Sequence, residues 1–203
     1  MNIIQQPELL RIQGAHGITW GGNQIWYTKP WQRQAGCGPT TSSNLVWYLS
    51  KTQERFQQLW PYKNYNRANM IKLMEELWSY ITPGMMGVNN TSIFIDGAVE
   101  FGKSRGIELL PEVLDIPLTK KLRPEYHEVK DFLHSAFSNN LPVAFLNLNN
   151  GSLRNLESWH WVTLISANED LKAEMIDQGN RIEIDLKKWL DTTKMGGGFV
   201  VLK

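Results

Sequence analysis

Cys37 is the single cysteine of the chain, and the residues around it favour chemistry at the sulfur. Proline at position 39 fits the first turn of a helix, and apolar residues recur over 45–49, so the sequence predicts that Cys37 lies at a helix N-terminus. The helix dipole and the free N–H groups there favour the thiolate, which is the nucleophilic form. We expect Gly36 and Gly38 to leave the sulfur open to a substrate backbone. The alternative interpretation is a small buried hydrophobic residue.

His160 interrupts an apolar run, Trp-His-Trp-Val-Thr-Leu-Ile over 159–165, that predicts a strand. A polar turn centred between Asn168 and Glu169 would fold the next strand back against it. In that antiparallel register His160 lies directly opposite Asp177, with Cβ atoms about 4.5–5.5 Å apart. A histidine bonded to a backbone carbonyl in the core is the alternative, and a shift of the register by one residue would separate the pair.

Cys37, His160 and Asp177 are together the parts of an activated-thiol site. The imidazole serves as general base and then acid, and the carboxylate fixes its tautomer and stabilises the imidazolium. Such a site catalyses acyl transfer through a thioester.

The middle of the chain shows helical periodicity. The apolar spacing predicts helices over about 70–81, 91–106 and 124–137, with Thr91 and Ser92 as candidate caps of the second. From residue 141 the pattern changes to strands, over 142–148, 159–165, 173–177 and 198–202. Trp159 and Trp161 alternate with His160 and are expected to pack under the sheet.

Helices followed by strands predict an α+β fold in one domain of two lobes. The helical lobe would span about 32–140, and the β lobe 141–203 together with the glycine- and tryptophan-rich segment 12–31. The nucleophile then lies on a helix and its partners on an antiparallel sheet, with a cleft between them.

Composition excludes several classes of protein. Lys and Arg number 21 and Asp and Glu 20, a formal net charge of +1, which argues against a nucleic-acid partner. One thiol cannot form an intramolecular disulfide or a multi-cysteine zinc site, and His16, His127 and His134 are interpreted as surface residues. We expect no metal and no cofactor. Neither a signal peptide nor a membrane span is recognised, which favours a cytoplasmic location, and the oligomeric state is left open.

Three segments resemble the active-site segments of papain-like cysteine peptidases, and most closely the bacterial double-glycine, bacteriocin-processing branch. They are residues 32–41 (QRQAGCGPTT), 159–163 (WHWVT) and 175–177 (MID). The tail, with Trp189 and a glycine-rich strand over 197–202, is similar as well. The resemblance does not extend to the helical middle, residues 51–140.

The resemblance implies a two-lobe papain-like fold and a glutamine upstream of the cysteine that donates to the oxyanion. In that family the glutamine stands six residues before the cysteine, but here that position is Trp31. Gln32 is the preferred candidate and Gln34 the alternative. An aspartate as the third residue agrees with the double-glycine branch, although Gln178-Gly179 follows it where that branch often has Asp-Pro.

The sequence therefore predicts a cysteine peptidase or amidase, with Cys37, His160, Asp177 and Gln32 as catalytic residues and a peptide or amide as substrate. Two alternatives are an acyltransferase or transglutaminase-like enzyme on the same triad, and a non-catalytic module that binds a peptide or glycan.

Overall fold

The computed structural model describes residues 2–14 and 17–203, and His16 lies outside them. In these residues a central helix is covered on one side by further helices and on the other by a large antiparallel sheet, so the fold is α+β. The helices are α1 (Pro30–Ala35), α2 (Cys37–Thr52), α3 (Arg67–Tyr80), α4 (Thr91–Ser104), α5 (Tyr126–Ser138) and α6 (Leu186–Thr192). The strands are β1 (Asn2–Ile3), β2 (Arg11–Gly14), β3 (Gly17–Trp20), β4 (Pro111–Ile116), β5 (Val143–Asn147), β6 (His160–Ala167), β7 (Lys172–Asp177), β8 (Asn180–Asp185) and β9 (Gly197–Leu202).

Helix α2 is the centre of the core. Every residue from Cys37 to Ser50 is buried, because α3 packs on one side of the helix and β6 on the other. A helix buried all round needs no polar face, which explains the weak apolar periodicity of this segment. Its polar residue Asn44 is satisfied internally, since its amide accepts from Gly22 N at 2.8 Å and donates to Thr163 Oγ1 at 3.1 Å.

The main sheet in the described residues has the order β4-β9-β5-β6-β7-β8, with β1 paired to the end of β6. Strands β2 and β3 form a separate hairpin, joined to the main sheet by a bridge between Trp20 and Gly179. Three of the six pairings in this sheet join consecutive strands (β5-β6, β6-β7 and β7-β8), and the other three involve β4, β9 and β1.

The predicted helices and strands are found, with differences at their ends. The cap of α4 is Asn90, whose side chain accepts from Ile93 N, rather than Thr91 or Ser92. The assignment of 32–140 to a helical lobe is wrong at β4, which lies at the edge of the sheet next to β9. Only Pro111, Leu114 and Ile116 of β4 show any burial, without a regular alternation, so its apolar signal was too weak to identify a strand.

Candidate active site

Cys37 is the first residue of α2, as the sequence predicts, and its side chain is 7% exposed. Helix α1 ends directly before it, and Gly36 joins the two helices. Cys37 therefore lies in the first turn of a 16-residue helix, where backbone N–H groups lack acceptors within the helix.

The glycines beside Cys37 are needed for packing rather than for substrate access. A Cβ at Gly36 would lie 2.4 Å from the ring of Tyr27, and one at Gly38 would lie 2.9 Å from the side chain of Val88. The expectation that both glycines expose the sulfur is therefore wrong, because protein side chains fill the space that each one leaves.

His160 and Asp177 lie in contact at the edge of the sheet beside α2. His160 is the first residue of β6 and Asp177 the last of β7, and Nε2 of the imidazole is 2.7 Å from Oδ1 of the carboxylate. Both side chains are largely buried. With Nε2 engaged by Asp177, Nδ1 is the ring nitrogen left for Cys37, to which the imidazole is hydrogen bonded.

The hairpin that carries this pair has a different register from the predicted one. The turn is longer than the one centred between Asn168 and Glu169, because β7 begins only at Lys172 and the amide of Asn168 donates to the Lys172 carbonyl. The directly opposed pairing of His160 and Asp177 is therefore wrong, and the two residues are diagonal neighbours instead.

A β-bulge at Ile165 keeps the two side chains on one face of the sheet. If the register found next to the turn continued along both strands, His160 and Asp177 would lie on opposite faces of the sheet, because successive side chains of a strand alternate between its two faces. With it, Thr163 faces Ile176, so Asp177 falls opposite position 162, two residues from His160 and on the same face. Diagonal positions about 7–8 Å apart are within reach of long side chains. The bulge thus makes the contact possible.

The turn after Asp177 is held by the segment that precedes α1. Gln178 and Gly179 form the two-residue β7–β8 turn with φ of 46° and 83°, the left-handed geometry of tight hairpins. The amide of Trp20 donates to the Gly179 carbonyl at 2.8 Å, and Nδ2 of buried Asn23 donates to the Gln178 carbonyl at 2.7 Å. These bonds fix the end of β7 and therefore the position of the carboxylate.

The electrostatics of the site favour a charged imidazole. Burial lowers the pKa of His160, but the hydrogen bonds to Asp177 and Cys37 and the charges of those two groups outweigh burial and raise the pKa from 6.5 to about 10. His160 is therefore an imidazolium at neutral pH, held between a carboxylate and the sulfur.

A small cavity of about 10 Å³ lies among these three side chains, with room for about one water molecule. Gln24 lines it together with Cys37, His160 and Asp177, and Oε1 of Gln24 is buried without a hydrogen-bond partner. Gln24 lies in the 3-10 turn Gln24–Trp26, which Asn23 caps by accepting from Ile25 N. A buried amide oxygen without a partner beside Cys37 is a candidate functional feature that the sequence does not reveal, because Gln24 stands well upstream of Cys37 with helix α1 between them.

Gln32 does not line this cavity. It is buried on α1, and its Nε2 donates to Glu75 Oε2 on α3 at 2.6 Å, so its amide donor is already engaged. Gln34 lines a different cavity, on the opposite side of Cys37. The oxyanion role predicted for Gln32 stays a prediction, and the geometry offers Gln24 in its place.

That second cavity is an open groove of about 320 Å³. It is lined by Trp31, Gln34, Ala35, Cys37, Met85, Met86, Gly87 and Trp159. Trp159 is 41% exposed in this groove, whereas Trp161 is 2% exposed and stacks on Phe94. The expectation that both tryptophans pack under the sheet therefore holds for Trp161 and is wrong for Trp159.

Elsewhere in the described residues we find no second cluster of side chains suited to catalysis or metal binding. Among residues 2–14 and 17–203, no group of three or more His, Cys, Asp or Glu side chains is placed to hold a metal ion. A polar cavity of about 470 Å³, between Gln53 and Lys203, contains none of the three candidate catalytic residues.

Comparison with known proteins gives a partial likeness to solved structures. No protein-family model matches the sequence, and no curated protein matches it. The chain is similar to a solved structure described as a double glycine motif protease from AMS/PCAT transporter in complex with the leader peptide. The TM-score is 0.38 and the identity 12%, over 82% of this chain and 83% of that one. A likeness at this level establishes no family membership.

No helix in the described part of the chain combines the length and the apolar character that crossing a bilayer requires.

Proposed function

We propose that the protein is a cysteine peptidase or amidase in which Cys37 is the nucleophile, His160 the general acid and base, and Asp177 the residue that orients His160. The observation that carries the proposal is that the three side chains line one small cavity, with the sulfur at a helix N-terminus and a charged imidazole beside it. Each feature favours a thiolate–imidazolium pair, the activated state of a cysteine nucleophile. A papain-like arrangement of the helix and the sheet belongs to the same proposal.

In the first step, the thiolate of Cys37 attacks the carbonyl carbon of an amide and forms a C–S bond. The tetrahedral intermediate collapses with cleavage of the C–N bond, and His160 gives its proton to the departing nitrogen. The products are a thioester on Cys37 and a free amine, and His160 is left neutral.

In the second step, neutral His160 takes a proton from water as the oxygen attacks the thioester. The C–S bond breaks, the carboxylic acid leaves, and the thiolate–imidazolium pair is restored. Asp177 keeps Nε2 engaged throughout, so that Nδ1 is the nitrogen that gives and takes the proton.

Gln24 is the best-placed side chain to donate to the oxyanion, together with the backbone N–H of Cys37. Its amide lies at the cavity and its oxygen has no partner, so rotation of the amide by half a turn aims NH₂ at the same point. A donor that is fixed in position stabilises developing charge more strongly than water does.

The first experiment measures alkylation of the thiol by iodoacetamide at pH 6, followed by mass spectrometry. Cys37 is the only cysteine, so the added mass reports on one residue. A free thiol is only ~0.3% thiolate at this pH, and we expect Cys37 to react at least about tenfold faster than N-acetylcysteine. His160→Ala should remove this advantage, and His127→Ala, an exposed histidine on α5, is the matched control.

The second experiment exposes the protein to a mixed peptide library, with Cys37→Ala as the control. Cleavage that depends on Cys37 supports the peptidase. Rapid alkylation without hydrolysis, but with transfer of an acyl group to added amines, supports an acyltransferase on the same triad. Alkylation at the rate of a free thiol overturns the proposal and favours a binding module.

A further inference from the structure

We infer that the open groove beside Cys37 is a specificity subsite that takes one large apolar side chain of the substrate, next to the bond that is cleaved. The inference rests on the proposed function and adds to it the chemical class of the substrate. It is carried by three observations: the route of access to the sulfur, the chemistry of the groove lining, and the backbone conformation of Trp159.

Access to the sulfur comes from the groove. Cys37 is the one residue that lines both cavities at the site. The cavity on the His160 side, at about 10 Å³, accommodates one small atom or water, whereas the groove on the other side has about 320 Å³. The bulk of a substrate must therefore lie in the groove, with only the carbonyl oxygen entering the small cavity.

Apart from Cys37 itself, the described residues that line the groove include no Asp, Glu, Lys, Arg or His, and Gln34 is the one amide among them. Trp31, Met85, Met86 and Trp159 are all large apolar residues with exposed surface, and Met85 is 97% exposed. Contiguous exposed apolar surface on a folded protein marks a binding site. Two methionines adapt to side chains of different shape, because they are unbranched and polarisable.

Two local backbone features hold these side chains in place. Gly84 and Gly87 exchange both backbone hydrogen bonds, which places Met85 and Met86 at the tip of a two-residue hairpin. Trp159 has φ of 57°, a left-handed conformation that is costly for a bulky residue. Trp159 directly precedes His160, and its side chain lines the groove. Trp161, on the other side of His160 in the sequence, is buried in the core.

The size of the groove favours a single side chain as the occupant. A volume of about 320 Å³ is at the lower end of ligand pockets, which span ~300–1,000 Å³. A phenylalanine, tryptophan or leucine side chain fits such a space, and a charged side chain would lose its hydration there without gaining a partner.

The experiment compares three reagents that alkylate Cys37 and differ in one arm: chloroacetamide, N-benzyl-chloroacetamide and N-carboxymethyl-chloroacetamide. Each second-order rate constant is divided by that of the same reagent with N-acetylcysteine, which removes intrinsic reactivity. Burial of a large apolar side chain corresponds to roughly tenfold or more in binding. We expect the benzyl reagent to exceed chloroacetamide by about that factor, with saturation kinetics, and the carboxymethyl reagent to fall below it.

Two variants test whether the preference arises in the groove. Met85→Ser and Trp159→Ser should each lower the benzyl-to-chloroacetamide ratio severalfold. Leu122→Ser makes a comparable change, from a large apolar residue to Ser, at a 71% exposed position outside the groove. This variant should leave the ratio as in the wild type. Circular dichroism of each variant confirms that it is folded.

A benzyl ratio near one on a rapidly reacting Cys37 overturns the subsite and leaves the proposed function intact. Slow reaction of chloroacetamide itself contradicts the proposed function instead. An N-decyl reagent is the fourth probe: if its ratio greatly exceeds that of the benzyl reagent, the groove binds a lipid chain, and the inference of a side chain is wrong.

Discussion

The two sides of Cys37 differ in almost every physical respect. On one side lies a small cavity of about 10 Å³, with room for about one water molecule, lined by an imidazole, a carboxylate and an amide. On the other side lies a groove of about 320 Å³, lined by indole rings and thioethers. The sulfur is the single point at which the two environments meet.

The difference separates two tasks that a site for acyl transfer must perform. Donors that are fixed and buried stabilise charge most effectively, and the largely buried His160 and Asp177 make the small cavity such an environment. Recognition of a substrate needs open surface and apolar contact, which is the condition of the groove. The following predictions test whether these two tasks are in fact divided at the sulfur.

The largest loss of activity is expected from Gln24→Ala, at the small cavity lined by His160 and Asp177. Removal of one oxyanion donor lowers kcat by about 10²–10³ in enzymes of this kind, and we expect a loss in that range for any peptide that the wild type cleaves. Alkylation by iodoacetamide passes through no oxyanion, so its rate should fall far less. Gln32→Ala is the comparison, because the Gln32 amide is bonded to Glu75. If Gln32→Ala causes the large loss and Gln24→Ala does not, the assignment from sequence is right and the one from geometry is wrong.

The contrast between Gln24 and Gln32 also shows which residues of the site can be identified from the sequence. Cys37 stands out by its spacing before a helix, and His160 because a titratable residue in an apolar strand is unusual. Gln24 has no such signal. It enters the cavity only because α1 and the 3-10 turn fold back over the start of α2, a tertiary arrangement that local patterns do not record.

In the sheet, too, part of the structure can be predicted from local sequence patterns and part cannot. Alternation of apolar residues was enough to identify β5, β6, β7 and β9, and the α+β class follows from the order of the elements. The bulge at Ile165 left no trace in the sequence, yet it decides whether His160 and Asp177 share a face. The contact was predicted for the wrong register, and it exists because the turn and the bulge together shift the pairing by two residues.

The second expected effect is a dependence of stability on pH that comes from the groups at the small cavity. The folded-state pKa of His160 is about 10 and its ordinary value 6.5, so the native imidazole keeps a proton that the unfolded imidazole loses between these values. In a thiolate–imidazolium pair this proton comes from the thiol, which an unfolded chain keeps up to about pH 8.5. The free energy of unfolding should therefore change little below about pH 8.5 and fall by up to about 1.4 kcal/mol per pH unit between about 8.5 and 10.

Urea unfolding at pH 6.5, 8 and 9.5 measures this slope. His160→Gln removes the titrating group and keeps a polar side chain, so the variant should show a shallower slope over the same range. Tyrosine ionisation affects both proteins alike and cancels in the difference. Equal slopes in the two proteins would contradict an imidazolium on the polar side of Cys37.

The smallest effect concerns the groove side, where Trp159 is held at φ of 57°. Trp159→Ala and Trp159→Gly both remove the indole ring, but only glycine adopts this backbone conformation without steric cost. The left-handed conformation costs an L-residue about 1–2 kcal/mol, so the glycine variant should be more stable than the alanine variant by about 1 kcal/mol in urea unfolding. Both variants should lose the preference for the benzyl reagent. If alanine and glycine are equally stable, the conformation carries no cost, and the groove is an ordinary exposed surface. A stability difference together with loss of the benzyl preference would indicate instead that the chain maintains a strained residue beside His160 because its side chain serves binding.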